Sequence, residues 1–459
     1  MKKEKMSDRV ILIRGGIFVL FCFCIFLFHF AKRESNIEGG VPGSFEDEEN
    51  ISVLKEDGFD ESYEKKMYEM YVQGLLGENL CNARDAYDAC HYMMVPMHYA
   101  FQSQNSEYIQ MFQEYMDNFC LLLKEEKETF RSLSILDRLH SMYLAVEYMC
   151  LCSQHGFSVQ ESLFSFIYEE SQEFTVTYTG AWESVAKYQD FWELLESLLS
   201  GEGYGNGKSF SNIITDIDLF LLAVLCDLKF VYENNEMKVD INRQTFIKAE
   251  KYVDRIFQDE IVWYADGTWE LQVGAWRDHP DYLYAGISDP DKIIEGIDYR
   301  VENCSWDAGH SMRFPLFLKS YQRASLSQKR IELYEKLVKG YGDTFVKNVL
   351  VEPDKTCKYY RMNNYMNGCN GLYRFGYNEE GIGIGPYQNS VCFLLGWYAF
   401  CGNDEVLETY RITARKFPLD EEGEKIYTDP TTVREQNPIF KSQTYRQFLC
   451  YLAGKLVFE

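Results

Sequence analysis

Residues 134–153 read SILDRLHSMYLAVEYMCLCS. Ile135, Leu139, Met142, Val146 and Met149 recur at alternating spacings of four and three, the period of one face of an α-helix. Ser134 stands where an N-cap belongs, with Asp137 three residues on as an approximate capping box. Gly156 follows where such a helix stops. Working outward, the same spacing recurs at 85–102, 108–124, 181–199, 213–232 and 246–258. It returns at 308–324, 327–338, 389–401, 405–416 and 444–456, with Gly340 read as a second C-terminal stop. Phe174–Tyr178 is the one stretch read as a short strand. The expectation is an all-α body over residues 61–459, built of about six helical hairpins. Hairpins that close a ring each bury one stripe against their neighbours and leave the centre accessible. An open solenoid would show a fixed-period repeat, and none is found.

The chain has 459 residues, 16% of them aromatic and 25% charged, with only ten prolines. That composition excludes wholesale disorder, and a mean hydropathy of −0.32 excludes a multi-span membrane protein. Net charge is −25, although residues 1–33 carry seven Lys or Arg against two acids. A body so acidic repels phosphates, so nucleic acid is not an expected partner.

Residues 15–31, GGIFVLFCFCIFLFHFA, form an almost unbroken apolar run. Extended back to Val10, with Arg14 placed to snorkel, it is long enough to cross a bilayer. Lys2, Lys3, Lys5, Arg9 and Arg14 precede it and only Lys32 and Arg33 follow, which predicts the N-terminus inside. Its exit lacks the small-x-small pattern of a cleaved signal peptide. The expected organisation is a cytoplasmic tail (1–14), a transmembrane signal anchor in the cell membrane (15–31), an acidic tether (32–60) and an outward-facing helical domain.

Two long stretches, 259–307 and 341–388, break the helical pattern with aromatic and glycine-rich sequence. Three segments in them carry chemistry. One runs from Asp266 to Gly286 and contains Trp276, Asp278, His279 and Asp281. The second is Asn303-Cys-Ser-Trp-Asp-Ala-Gly-His-Ser-Met-Arg-Phe-Pro315. The third is Tyr365-Met-Asn-Gly-Cys-Asn-Gly-Leu-Tyr-Arg-Phe-Gly-Tyr377, followed by Gly381-Ile-Gly-Ile-Gly-Pro-Tyr387. Each joins aromatic rings to carboxylate, amide or guanidinium groups, the mixture a sugar site needs.

On the Trp306-Asp307-Ala-Gly-His310-Ser-Met-Arg313 string, the Asn370-Gly-Leu-Tyr-Arg374 loop and the Gly-Pro-Tyr387 entry, the sequence resembles the (α/α)-toroid carbohydrate-active enzymes. These are glycoside hydrolases and polysaccharide lyases built on a ring of helical hairpins. The resemblance implies a glycan substrate. Candidate catalytic residues are Asp307, His310, Arg313, Tyr377 and Asp281; candidate substrate-binding residues are Trp276, Asp278, His279, Trp306, Asn370, Tyr373, Arg374 and Tyr387. A hydrolase needs a carboxyl acid and an opposing carboxylate, for which Asp307, Asp278 and Asp281 stand ahead of Glu302 and Glu380. A lyase needs groups that neutralise a uronate and groups that move the adjacent proton. Asn303, His310, Arg313, Asn370, Arg374, Tyr365, Tyr373 and Tyr377 supply those.

The acidic body favours the hydrolase, because it repels a polyuronate. A non-catalytic glycan-binding protein and a helical scaffold are the rival classes, and a scaffold would scatter these residues. Plainer roles also exist for each residue: Asp307 as an N-cap, Arg313 as an ion-pair partner, Asp278 and Asp281 as turn residues, Trp276 and Trp306 as core plugs. Most cysteines fall in apolar helical patterns, while Cys304, Cys357 and Cys369 lie in the loops. With no CxxC pair, HExxH, DDxxD or Gly-Lys-Ser/Thr ending, no metal and no cofactor is expected.

Overall fold

A computed structural model describes residues 59–180, 188–203, 207–375, 383–428 and 441–458. Residues 15–31 and most of the acidic tether lie outside them, and no described helix is long and apolar enough to cross a membrane. The described residues begin within the expected tether. Phe59 stacks on Tyr451 at 4.7 Å, and Asp60 accepts a 2.9 Å bond from the Tyr63 amide, capping α1 (Glu61–Met67).

The body is all-α apart from two short strand pairs. After α1 come α2 (Ala83–Gln102), α3 (Ser106–Glu125), α4 (Ile135–His155), α5 (Glu161–Thr177) and α6 (Phe191–Leu199). Then follow α7 (Asp216–Asn234), α8 (Arg243–Asp259), the short α9 (Ala308–Ser311), α10 (Phe314–Arg323), α11 (Gln328–Thr344), α12 (Asp404–Ala414) and α13 (Gln443–Ala453). Strands β1 (Ile261–Trp263) and β2 (Trp269–Leu271) pair antiparallel, as do β3 (Leu350–Val351) and β4 (Arg361–Met362). Asn82, Asn105, Ser134, Asp190, Thr215, Asn242, Asn403 and Ser442 each accept a bond from an amide of the turn they open, meeting donors that the helix leaves unpaired.

Helices α2, α4 and α7 are buried on nearly every face, whereas α3 and α8 bury one stripe. The contacts explain the difference. α2 lies against α4, α4 against α7, and α7 against α10; α10 meets a 3₁₀ run, Trp397–Cys401. The preceding 3₁₀ run, Gln388–Leu395, meets α13, and α13 returns to α2. At this join the Trp397 indole donates to the His91 carbonyl at 2.8 Å. Gly396 sits there at φ +84°, and a Cβ on it would stand 2.9 Å from Val95 Cγ2. On these elements lie α3, α5, α8, α11 and α12. Tyr63 and Tyr68 of the N-terminal segment set their rings edge-on to Phe448 of α13.

A charged cluster is buried between these helices. Arg323 of α10 bonds Glu147 of α4 at 2.5 and 3.0 Å and Asp227 of α7 at 2.9 and 3.1 Å. His98 of α2 stands 3.6 Å from Glu147. Burial pushes the Asp227 carboxyl up; for Glu147, burial is outweighed by Arg323 and His98, and its carboxyl is held down.

Several elements differ from the sequence reading. Phe174–Tyr178 is no strand: α5 runs through Thr177 because Leu163, Phe164, Ile167 and Phe174 form one buried helical stripe. That stripe overrides the β-branched Thr175, Val176 and Thr177. Gly340 does not end a helix; it lies inside α11, where a Cβ would meet the Gly267 carbonyl and Trp269 at 2.7 Å. The run 389–401 is 3₁₀ rather than α, split by Gly396 and ended by Gly402, both left-handed. The run 308–324 breaks at Arg313 because Pro315 restarts the helix at α10. Of the run 181–199, residues 181–187 lie outside the described residues and α6 begins after Asp190. Cys304, Cys357 and Cys369 are free thiols.

Candidate active site

The sequence Trp306-Asp307-Ala-Gly-His310 sets the site's frame. Asp307 caps α9, accepting from the His310 amide at 3.0 Å. Its backbone pairs with the third loop: Asp307 bridges Tyr365, the Ala308 amide donates to the Asn364 carbonyl at 2.8 Å, and the Met366 amide to the Trp306 carbonyl at 2.9 Å. Two segments distant in sequence are thereby locked together. The first loop joins them through Arg374, whose amide donates to the Asp281 carbonyl at 2.8 Å.

These contacts surround one cleft holding about 470 Å³ of empty space, including space continuous with solvent. Its walls are Thr215, Asp216, Trp276, His279, Asp281, Tyr282, Trp306, Asp307, His310, Tyr373 and Arg374. It sits at the N-terminal ends of α7 and α9, where helix dipoles add positive potential.

Asp307 is 1% exposed and fully engaged. The Tyr282 hydroxyl donates to it at 2.9 Å, and its two oxygens lie 3.0 and 2.9 Å from His310 Nδ1. Burial alone would raise the Asp307 carboxyl. The His310 ring, its hydrogen bonds and the Arg374 guanidinium outweigh burial and hold the carboxyl well below the usual carboxylate range. A carboxylate so placed orients the imidazole. The His310 side chain itself is 29% exposed, with Nε2 at 3.5 Å from Arg374 Nη2 and Nδ1 at 3.4 Å from the Tyr373 hydroxyl.

A second carboxylate faces this pair. Asp281 takes Arg374 Nε on Oδ2 at 3.2 Å, while its buried Oδ1 has no protein partner among the described residues. Arg374 reaches this position with φ +59°, a left-handed backbone unusual for a residue with a side chain. The Asp281 amide donates to His279 Nδ1 at 3.3 Å, so the ring's other nitrogen carries the proton in the neutral form. Burial pushes the His279 pKa down. Burial, then the Asp307 charge, keep the Tyr282 and Tyr373 hydroxyls protonated far above the usual phenol range.

Trp276 and Trp306 lie in the walls but do not offer open faces. Trp276 stacks on Tyr282 at 4.8 Å and meets Trp306 edge-on at 5.0 Å; Trp306 also meets Phe314. Both indole N–H groups are buried without a protein partner among the described residues. Trp306 also borders a small inner cavity beside Glu270 and Ser305.

The remaining candidates are placed elsewhere. Arg313 is buried behind the cleft, paired with Asp216 and donating to His91 Nε2 at 3.3 Å, its guanidinium 5.3 Å from the Phe220 ring centre. Asp278 turns to Arg300 at 2.5 Å and to the Ser209 amide at 3.3 Å. Asn370 accepts from the Tyr387 amide at 2.9 Å, and Tyr387 carries Arg361 over its ring. None of these four lines the cleft. Tyr377 lies outside the described residues. Thr215, Asp216 and Tyr282 line the cleft and were not among the sequence candidates. A signal for the first two exists in Thr215-Asp-Ile-Asp218 before an apolar run, a capping box that fixes where α7 starts. Among the described residues no three His, Cys, Asp or Glu side chains gather as metal ligands.

Comparison of the chain with known protein families, curated proteins and solved structures finds no match.

Proposed function

We propose that the described body is an (α/α) toroid and that the cleft cleaves the glycosidic bond of a glycan by hydrolysis. The closed circuit of contacts from α2 through α13, with a second layer of helices on it, supports the ring. The observation that carries the activity is the pairing in one cleft of a positioned imidazole, His310 on Asp307, with the unpartnered Oδ1 of Asp281.

In this reading the imidazolium of His310, oriented by Asp307, gives its Nε2 proton to the departing glycosidic oxygen. Asp281 Oδ1 takes a proton from the water that attacks the anomeric carbon as the C–O bond breaks. Arg374 holds Asp281 in place through its 3.2 Å bond to Oδ2. Hydrolysis is favoured over β-elimination because Asp216, Asp281 and Asp307 each have a basic partner in Arg313, Arg374 and His310. A uronate would have to compete with them for those cations.

The second reading is a lyase, favoured by the juxtaposition of Tyr373, His310 and Arg374. Incubating the full-length protein with a panel of neutral and uronate glycans decides between them. Hydrolysis releases new reducing ends without the ultraviolet absorbance of an unsaturated uronate; elimination produces both. A panel with no cleaved member refutes both.

A further inference from the structure

The cleft's polar surface identifies what it can recognise, given the glycan reading above. Aromatic sugar platforms present a ring face to the ligand, but the Trp276 face is covered by Tyr282 and its edge abuts Trp306. What Trp276 leaves unmatched is its indole N–H, on a side chain only 8% exposed. Among the residues lining the cleft the Trp306 indole N–H is likewise unmatched, and the unmatched carboxylate oxygen is Asp281 Oδ1, on a residue 6% exposed. Leaving a buried donor and acceptor unpaired is costly, so a ligand that satisfies both is preferred to one that satisfies neither. A hydroxyl group donates and accepts at once; a carboxylate only accepts. The cations near the cleft do not redress this for an anion. Arg374 is committed to Asp281 and Arg313 to Asp216, and the three cleft carboxylates repel further negative charge.

We infer that the cleft selects an uncharged sugar unit through hydrogen bonding, with the Trp276 indole N–H as a specificity-determining donor to a sugar oxygen.

Binding is the direct test. Full-length protein in a detergent without a sugar headgroup is titrated with the methyl glycosides of glucose, galactose, mannose and N-acetylglucosamine, and with those of glucuronate and galacturonate. At least one neutral glycoside binds, and its uronate counterpart binds at least tenfold more weakly. Trp276→Phe keeps a ring in the stack and removes the donor together with the rest of the indole; at a temperature where the variant remains folded, it weakens the neutral glycoside at least fivefold. Uronates that bind as well as neutral sugars, Trp276→Phe binding within twofold of wild type, or no neutral glycoside binding at all would each overturn the inference. Neutral binding without any turnover leaves the inference standing and removes the hydrolase reading instead.

Discussion

At the scale of single residues, the site turns on which side chains are free to act and which are already committed. Asp307 belongs to the second group: three donors from two residues converge on it. Its place is to orient His310. Asp307→Asn keeps an N-cap but loses the charge and one acceptor. It is expected to reduce glycan turnover about 100-fold or more and to cost about 1–3 kcal/mol in chemical unfolding. An unchanged rate would detach Asp307 from the mechanism. The residues brought into the cleft from three separated segments were visible in sequence because each joins an aromatic to a charged group in irregular backbone. Orientation was not visible. Asp278 and Asp281 are three positions apart in one loop, yet one faces Arg300 outside and the other faces the cleft. A 3₁₀ turn at Ala275–Asp278 and a second at Pro280–Tyr282 decide that, and no spacing rule encodes it.

Helix ends and helix crossings set the next scale. Asp218 closes the capping box that starts α7 beside the cleft, its carboxyl accepting from the Thr215 amide at 2.6 Å and hydroxyl at 2.7 Å. Burial outweighs those bonds and pushes the carboxyl up to about 6. In the unfolded chain it titrates near its ordinary value of about 3.9. Between these values the folded state holds the extra proton, so this group's stabilisation falls as pH rises through the interval. Asp218→Asn removes the effect. The wild-type-minus-variant unfolding free energy should decline by about 3 kcal/mol between about pH 4 and pH 6 and be flat above, read by urea titration at each pH. A flat difference throughout would contradict it.

Gly340 makes the companion case. The sequence reading takes it for a stop, because glycine is a poor helix interior residue; its actual role is to let β2 and the Gly267 turn approach α11. Gly340→Ala gains about 1 kcal/mol of helix propensity but overpacks that crossing, and net destabilisation of about 1 kcal/mol or more is expected in thermal unfolding. Periodicity made most helices legible. It was silent where tertiary contact reversed local preference, as at α5 and along 388–401.

Across the whole molecule, Arg323 ties α4, α7 and α10 together through two fully buried carboxylates. Removing it strands buried charge, so Arg323→Met should cost about 3–5 kcal/mol in denaturant unfolding, whereas a loss below 1 kcal/mol would show that the cluster does not hold these helices together. The number of helices and the absence of a repeat period favoured hairpins arranged in a ring over an open solenoid; the contacts from Trp397 to His91 and from α13 to α2 join residues some 300 positions apart and leave no local trace. The claim that gives this architecture a purpose is that its cleft breaks glycosidic bonds through His310. Glycan turnover by the full-length wild type and by His310→Ala, at matched unfolding temperature, tests it most directly. The account predicts cleavage of at least one neutral glycan and a loss of at least about 100-fold in the variant; a variant that retains the wild-type rate would contradict it.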